Sequence, residues 1–429
     1  MWQLLLTHTP LLYVVQSFWR DEAFSVLAAE KSIGFIITKL GLEPPIYYIL
    51  LHFWIRIFGE SDLVARCLSL LGFMLATWLM IEWAWKLYHK HWLSVFLPVF
   101  FFLNPMLLYY AFEVRTYAWY TFFATGMLFA YTEKRWGWFM LSAILGFYTH
   151  LYLLPFIGIL FLHWWFSERH HEKAALHAFI ITGIATVPWL IKVAFEIPLL
   201  KNSWYFPVDL QLVYSAIGNM FTGYEGTPWY GWLYTAYLSP LIIGFFLLAL
   251  TDRKNRKRNV LFALFGIVPL AAVIGISFFK PLFVNRYLIP VTVSEVLVIV
   301  AGLAAIKNRL LQLLTAGVLM GFVLWFNWWF PPQHPKVPIR NTIMQVNALI
   351  KPSDVILADS SLNYLETLYY AADRTRVYLY DPSHTPFPWY VGSSLVPASR
   401  LVDSFPTYPH RAFLIRTDGS YQIVYQLPL

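Results

Sequence analysis

Long apolar runs, each broken by a short polar or basic stretch, recur over the first 330 residues of the chain. A helix needs roughly 20 predominantly apolar residues to cross a bilayer. On that measure about eleven stretches are candidate spans. The first lies near Trp2–Trp19, and the others near 63–85, 92–111, 117–132, 137–150, 151–166, 174–195, 231–250, 259–279, 284–305 and 310–330. The first is weak, because Thr7, His8, Thr9, Pro10 and Gln16 interrupt it. The pair 137–150 and 151–166 is short, with an indistinct boundary. The pattern predicts an α-helical multi-pass membrane protein.

After Pro331-Pro332 the apolar density falls and the period changes. Ile343–Ile350 reads as a helix, Asp354–Asp359 as a strand, Leu362–Ala372 as a helix and Arg376–Tyr380 as a strand. Ala412–Arg416 and Tyr421–Tyr425 read as a hairpin around Thr417-Asp418-Gly419-Ser420. The expected organisation is a transmembrane module over 1–330 followed by a small α/β domain over 331–429, which carries no recognisable catalytic motif.

Composition sharpens this. The chain is 59% hydrophobic and 13% charged, against about 25% charged in a soluble domain. Aromatic residues reach 19%, as befits two membrane–water interfaces. The net charge of +8 would raise nucleic acid as a partner in a soluble protein, but the basic residues sit in short loops. Lys86 and Lys90, Lys134 and Arg135, Arg169 and Lys173, the run Arg253–Arg258, and Lys307 with Arg309 fall in alternate loops. Basic loops mark the cytoplasmic side. The N-terminus is then cytoplasmic, and the segment 20–62 and the C-terminal domain are extracytoplasmic. Cys67 is the single cysteine, which excludes an intramolecular disulfide and a cysteine-based metal site. There is no signal-peptide pattern, no internal repeat and no glycine-rich phosphate loop. The absence of Asn-x-Ser/Thr sequons favours a prokaryotic plasma membrane.

Candidate chemistry gathers where charge meets the expected outer surface. Arg20-Asp21-Glu22 follows the first candidate span, and a roughly amphipathic stretch, Ala23–Leu40, follows it in turn. Such a stretch suits a helix lying in the interface plane. The charged triplet could equally be a helix stop. Glu43 stands before Pro44-Pro45, which forbid a helix through it and fix its carboxylate in an extended turn. Two carboxylates at a wet boundary can divide proton transfer and orientation of a hydroxyl. Asp21, Glu22 and Glu43 could also hold a divalent cation. In Tyr109–Tyr117 a charged island carries Glu113 and Arg115. It is either a surface ion pair or a phosphate-binding arginine. Arg286, in Asn285-Arg286-Tyr287, opens a span on the side the positive-inside rule disfavours, as an interface anchor or a phosphate ligand. His150 is a structural or an accessory histidine. The loop Pro198–Tyr230, with Lys201 and Glu225, is a candidate lid. His163, His170, His171 and His177 read as part of a solvated basic loop, not a metal site.

The string Trp19–Ser25, with Glu43-Pro44-Pro45-Ile46-Tyr47-Tyr48, Phe58–Asp62 and Ala65–Gly72, resembles the C-type superfamily of membrane glycosyltransferases. Within it the likeness is greatest to the branch of protein O-mannosyltransferases and lipid A aminoarabinose transferases. The likeness is strong over about 19–72, looser over 104–155 and 280–305, and absent from the C-terminal domain. It implies the C-type fold and transfer of a hexosyl or pentosyl group from a polyprenyl-phosphate carrier to a hydroxyl of a lipid, glycan or protein in the cell envelope. It places Asp21 on the family's catalytic acidic position and Glu43 on a carboxylate at the acceptor site. The mannosyltransferase branch more often has histidine before the two prolines, so protein is not favoured over other acceptors. Arg115, in an Arg-x-Tyr segment with Tyr117, and Arg286, beside Tyr287, fall where the family contacts lipid phosphate, and His150 has a counterpart there. The rival readings are a transporter or flippase of lipid-linked sugar, which often shows repeated halves, and a non-catalytic membrane scaffold.

Overall fold

A computed structural model describes residues 2–167, 172–196, 208–223, 232–384 and 392–428. Lys201, Glu225, Arg169, His170 and His171 lie outside the described residues. The chain divides into two compact units. One comprises Met1–Tyr13, Cys67–Ala194 and Tyr205–His334; the other comprises Val14–Arg66, Phe195–Trp204 and Pro335–Leu429.

The first unit is helical. Among the described residues six helices are long and apolar enough to cross a membrane, and a seventh span arises if the bent pair Leu93–Phe102 and Pro105–Ala111 counts as one. The bend of 55° has a local cause. Pro105 cannot continue the preceding helix, but it suits the first turn of a new one. The Asn104 side chain caps that turn, accepting from the amide of Leu107 at 3.1 Å, and it donates to the Phe221 carbonyl at 3.0 Å. The stretches 117–132, 137–150 and 151–166 form the shorter helices Tyr117–Thr132, Trp136–Phe147 and Leu153–Phe166.

The first candidate span is not one helix. It breaks into Trp2–His8 and Leu12–Val15, with Pro10 in the interruption. Seven residues rise only about 10 Å, so neither piece crosses a bilayer alone. The segment after 198, expected to be a loop, contains the helix Leu210–Thr222.

Burial identifies the central helix of this unit. Of the 18-residue apolar stretch within Asn285–Ala305, 89% is buried, whereas the corresponding stretches of Lys173–Glu196 and Arg309–Gln333 are 28% buried and keep apolar faces for lipid. Close approach of backbones makes this packing possible. A Cβ on Gly218 would stand 1.9 Å from the Thr235 carbonyl oxygen, and one on Gly302 would stand 2.6 Å from that of Phe245.

The second unit contains a five-stranded sheet built from β1 (Val355–Ala358), β2 (Val377–Tyr380), β3 (Leu401–Val402), β4 (Ala412–Ile415) and β5 (Tyr421–Val424), in the order β3-β2-β1-β4-β5. β4 and β5 are antiparallel and the remaining pairs are parallel. The two-residue β3 is too short to show a period. The helices Ile339–Leu349 and Tyr364–Tyr370 accompany the sheet. The same unit contains Arg20–Ala29, Ile33–Lys39 and Ile46–Phe58.

The stretch Ala23–Leu40 is therefore not a single interfacial helix. Ser32 caps a second helix by accepting from the Phe35 amide, and every residue from Asp21 to Ala29 is buried. The reason is tertiary: Arg20–Ala29 packs against both Ile46–Phe58 and Tyr364–Tyr370, which leaves it no lipid-facing side.

Candidate functional site

The acidic helix Arg20–Ala29 starts with its own cap. Glu22 reaches back to accept from the Trp19 amide at 3.3 Å, satisfying a donor that the helix terminus leaves open. Glu22 is sealed from solvent and held by two cations. Arg66 approaches through Nε at 3.3 Å and Nη2 at 3.2 Å, and Lys336 through Nζ at 2.8 Å. Burial alone would raise the Glu22 pKa, but Arg66 and Lys336 outweigh it and hold the carboxylate below its ordinary range. Arg66 also donates to the carbonyls of Val14 and Gln16, at 2.9 and 2.8 Å, and its guanidinium lies 4.8 Å from the Phe18 ring centroid. The segment leading into Asp21 is thereby tied down from behind.

Asp21 is 9% exposed. Its Oδ1 accepts from Arg20 Nε at 3.0 Å, and its carbonyl accepts from Ser25 Oγ at 2.9 Å. A carboxylate on a capped, anchored first turn, paired with one partly exposed arginine, has the form of a positioned general base. Glu43 Oε2 accepts from the Tyr48 hydroxyl at 2.9 Å. Among the described residues no three His, Cys, Asp or Glu side chains gather where they could hold a metal ion. Asp21, Glu22 and Glu43 thus do not form the cation site that the sequence allows.

The helical unit assembles a different chemistry. Arg115 and Arg286 are 6% and 7% exposed, and both lie within electrostatic reach of Tyr117 and of His150. Glu113 is buried in the same cluster. The ring of His150 stacks on Tyr120 with centroids 4.6 Å apart, and lies 5.0 Å from Tyr287 and 5.8 Å from Tyr152. Tyr120 donates to the Tyr287 carbonyl at 3.2 Å and Tyr152 to the Leu282 carbonyl at 2.7 Å. These bonds lock the aromatic wall. The Arg286 guanidinium lies 5.7 Å from the Tyr287 ring, and Asn285 Oδ1 accepts from the Arg286 amide.

The burial of these side chains bears on the sequence alternatives. Glu113 and Arg115 are buried, so they are not a surface pair. Arg286 is enclosed by protein, which a lipid-interface anchor would not be. Two guanidiniums and one carboxylate lie within electrostatic reach of Tyr117.

No family model matches the chain, and no curated protein matches it. Among solved structures, that of ArnT from Cupriavidus metallidurans in the apo state aligns with a TM-score of 0.62 at 13% identity, over 96% of this chain and 92% of that one. The chain has the ArnT fold. The structure of the same protein bound to undecaprenyl phosphate aligns with a TM-score of 0.60 at 14% identity, over 96% and 93%. This is the C-type fold that the sequence resemblance implies. At that coverage the ArnT likeness takes in the C-terminal domain as well, where the sequence shows no resemblance.

Several residues of these two clusters escaped the sequence reading. Arg66 had a signal, as a charge within an otherwise apolar helix. Lys336, Tyr120 and Tyr152 had none, since an isolated lysine or tyrosine near a span is ordinary.

Proposed function

We propose that the protein is an inverting glycosyltransferase of the plasma membrane. It moves a sugar from a polyprenyl-phosphate carrier to a hydroxyl acceptor on the extracytoplasmic face. The observation that carries this reading is the buried pair Arg115 and Arg286 in an aromatic wall, within a fold shared with a protein whose structure holds undecaprenyl phosphate. The arginines bind the donor phosphate. Asp21 accepts the proton of the acceptor hydroxyl as the acceptor oxygen bonds to the anomeric carbon. The bond from that carbon to the phosphate oxygen breaks, and polyprenyl phosphate leaves as the monoester. Positive charge aimed at the leaving group stabilises the transition state. Glu43 orients the acceptor hydroxyl, and Tyr117, His150 and Tyr287 shape the donor end.

The test offers purified protein in lipid vesicles three radiolabelled donors: undecaprenyl-phosphate mannose, glucose and 4-aminoarabinose. A cell-envelope lipid and glycan extract serves as acceptor. Transfer from at least one of them, with none from the corresponding nucleotide sugars, is expected. Efficient transfer from a nucleotide sugar without carrier lipid would sink the reading. Carrier movement across the bilayer without transfer would make the protein a flippase.

A further inference from the structure

One buried carboxyl beside Asp21 has no part in that reaction scheme. Glu366 comes from the helix Tyr364–Tyr370 of the C-terminal domain and is 8% exposed. Its helix packs against the acidic helix, and its carboxyl lies near the backbone of Arg20, the first residue of that helix. Around it on that helix stand the charges of Arg20, Asp21 and Glu22. The other elements packed on Tyr364–Tyr370 bring little charge of their own. Ile339–Leu349 carries Arg340, which is held by Asp62 at 3.1 Å, β1 carries no titratable residue, and β2 carries Tyr378 and Tyr380.

The helix bearing Glu366 is pinned against the acidic segment from several sides. The Tyr370 hydroxyl accepts from the Phe18 amide at 2.7 Å and donates to Asp62. The Tyr369 hydroxyl donates to the Glu60 carbonyl. Just beyond the helix, Arg374 holds Glu30 with bonds of 2.9 and 2.8 Å, at the far end of the acidic helix. The helix that carries Glu366 is therefore held against the acidic helix by a rigid frame.

An acid is a costly choice for this place. Burying a carboxyl carries a penalty unless it is well bonded, and Asp21 and Glu22 add like charge. We propose that Glu366 is a positioning residue for Asp21: its carboxyl docks on the Arg20 amide and fixes the first turn from which Asp21 projects. This role rests on Asp21 being the base of the proposed transferase. Burial, reinforced by Asp21 and Glu22 against the opposing pull of Arg20, pushes the Glu366 pKa up to about 8. Near neutral pH it is a neutral acid, able to accept from Arg20 without placing a second anion beside the base. Once ionised, it competes with Asp21 for the Arg20 guanidinium and repels the Asp21 carboxylate, so the base loses its fixed orientation.

The experiment uses the full-length protein in vesicles with whichever of the three donors wild type turns over. Transfer by wild type is expected to fall as pH rises through about 8. Glu366→Gln, a neutral isostere, is expected to keep the neutral-pH rate and lose that alkaline limb. Glu366→Ala is expected to lower kcat by about 10- to 100-fold with KM little changed, as a misplaced catalytic group does. Infrared spectra at pH 7 should show a protonated-carboxyl band that Glu366→Gln removes. An unchanged kcat in Glu366→Ala, the same alkaline limb in Glu366→Gln, or no such band would overturn the positioning role while leaving the transferase reading intact. No transfer by wild type from any donor would overturn the transferase reading itself.

Discussion

Arg66 grips both oxygens of Glu22 inside the protein, with Nε 3.3 Å from Oε1 and Nη2 3.2 Å from Oε2. The pair links the start of the long helix Asp62–Tyr88 to the first turn of the helix that carries Asp21. Removing one partner of a sealed ion pair leaves an uncompensated charge, which costs about 3–5 kcal/mol. Because Lys336 still faces Glu22 at 2.8 Å, Arg66→Ala should destabilise the protein by less than that, and an Arg66→Ala, Glu22→Gln double variant by less than the sum of the single variants. Thermal unfolding in detergent measures both. Strict additivity would show that the two side chains do not act as a pair.

The same pair sets a sign for acid stability. The Glu22 pKa is lower in the folded protein than in the unfolded chain. Its contribution is fully present above the unfolded value of about 4.5, and is lost as pH falls through the folded value. Wild type should lose stability below that pH more steeply than Glu22→Gln. Parallel curves of melting temperature against pH for the two proteins would contradict this.

Glu366 has the opposite sign. Its folded value of about 8 exceeds the unfolded value of 4.5, so its contribution is complete below pH 4.5 and is lost as pH rises through 8. Glu366→Gln should flatten the decline in melting temperature between those limits. A decline as steep as that of wild type would assign the pH dependence to another group.

Asp21→Asn is expected to lower transfer by about 10²–10⁴-fold, the range for a positioned general base. Its stability should change by only about 0–1 kcal/mol, because Arg20, its partner, is partly exposed. Retention of more than a tenth of wild-type activity would move the base elsewhere, with Glu43 next in line.

Arg115→Ala and Arg286→Ala should each weaken binding of undecaprenyl phosphate, measured by titration in nanodiscs. Lysine at either position should recover only part of the affinity, since a point charge lacks the planar fork. Wild-type affinity in both alanine variants would make these arginines structural.

The orientation inferred from the alternating basic loops calls for cysteines introduced into a Cys67→Ser background. On intact cells a membrane-impermeant thiol reagent should label positions in 335–429 and spare Arg253–Arg258. The reverse pattern would invert the topology.

What the chain determined alone was local and periodic. Apolar runs of spanning length mark the helices because no soluble fold could cover so much apolar surface. Alternation and turn residues mark β1, β2 and the β4–β5 hairpin, and Asp21, Arg115 and Arg286 stand out as charges placed against the local trend. The tertiary structure decided which charges meet. Lys336 reaches Glu22 across 314 positions of sequence, and the helix of Glu366 packs on the acidic helix from the other end of the chain. No period or spacing encodes such pairs. They exist because packing brings distant segments together, and a buried charge then needs a partner wherever the fold supplies one. The same logic turned Ala23–Ala29 from an expected interfacial face into a buried core, since amphipathicity shows that a face wants cover without saying whether lipid or protein provides it.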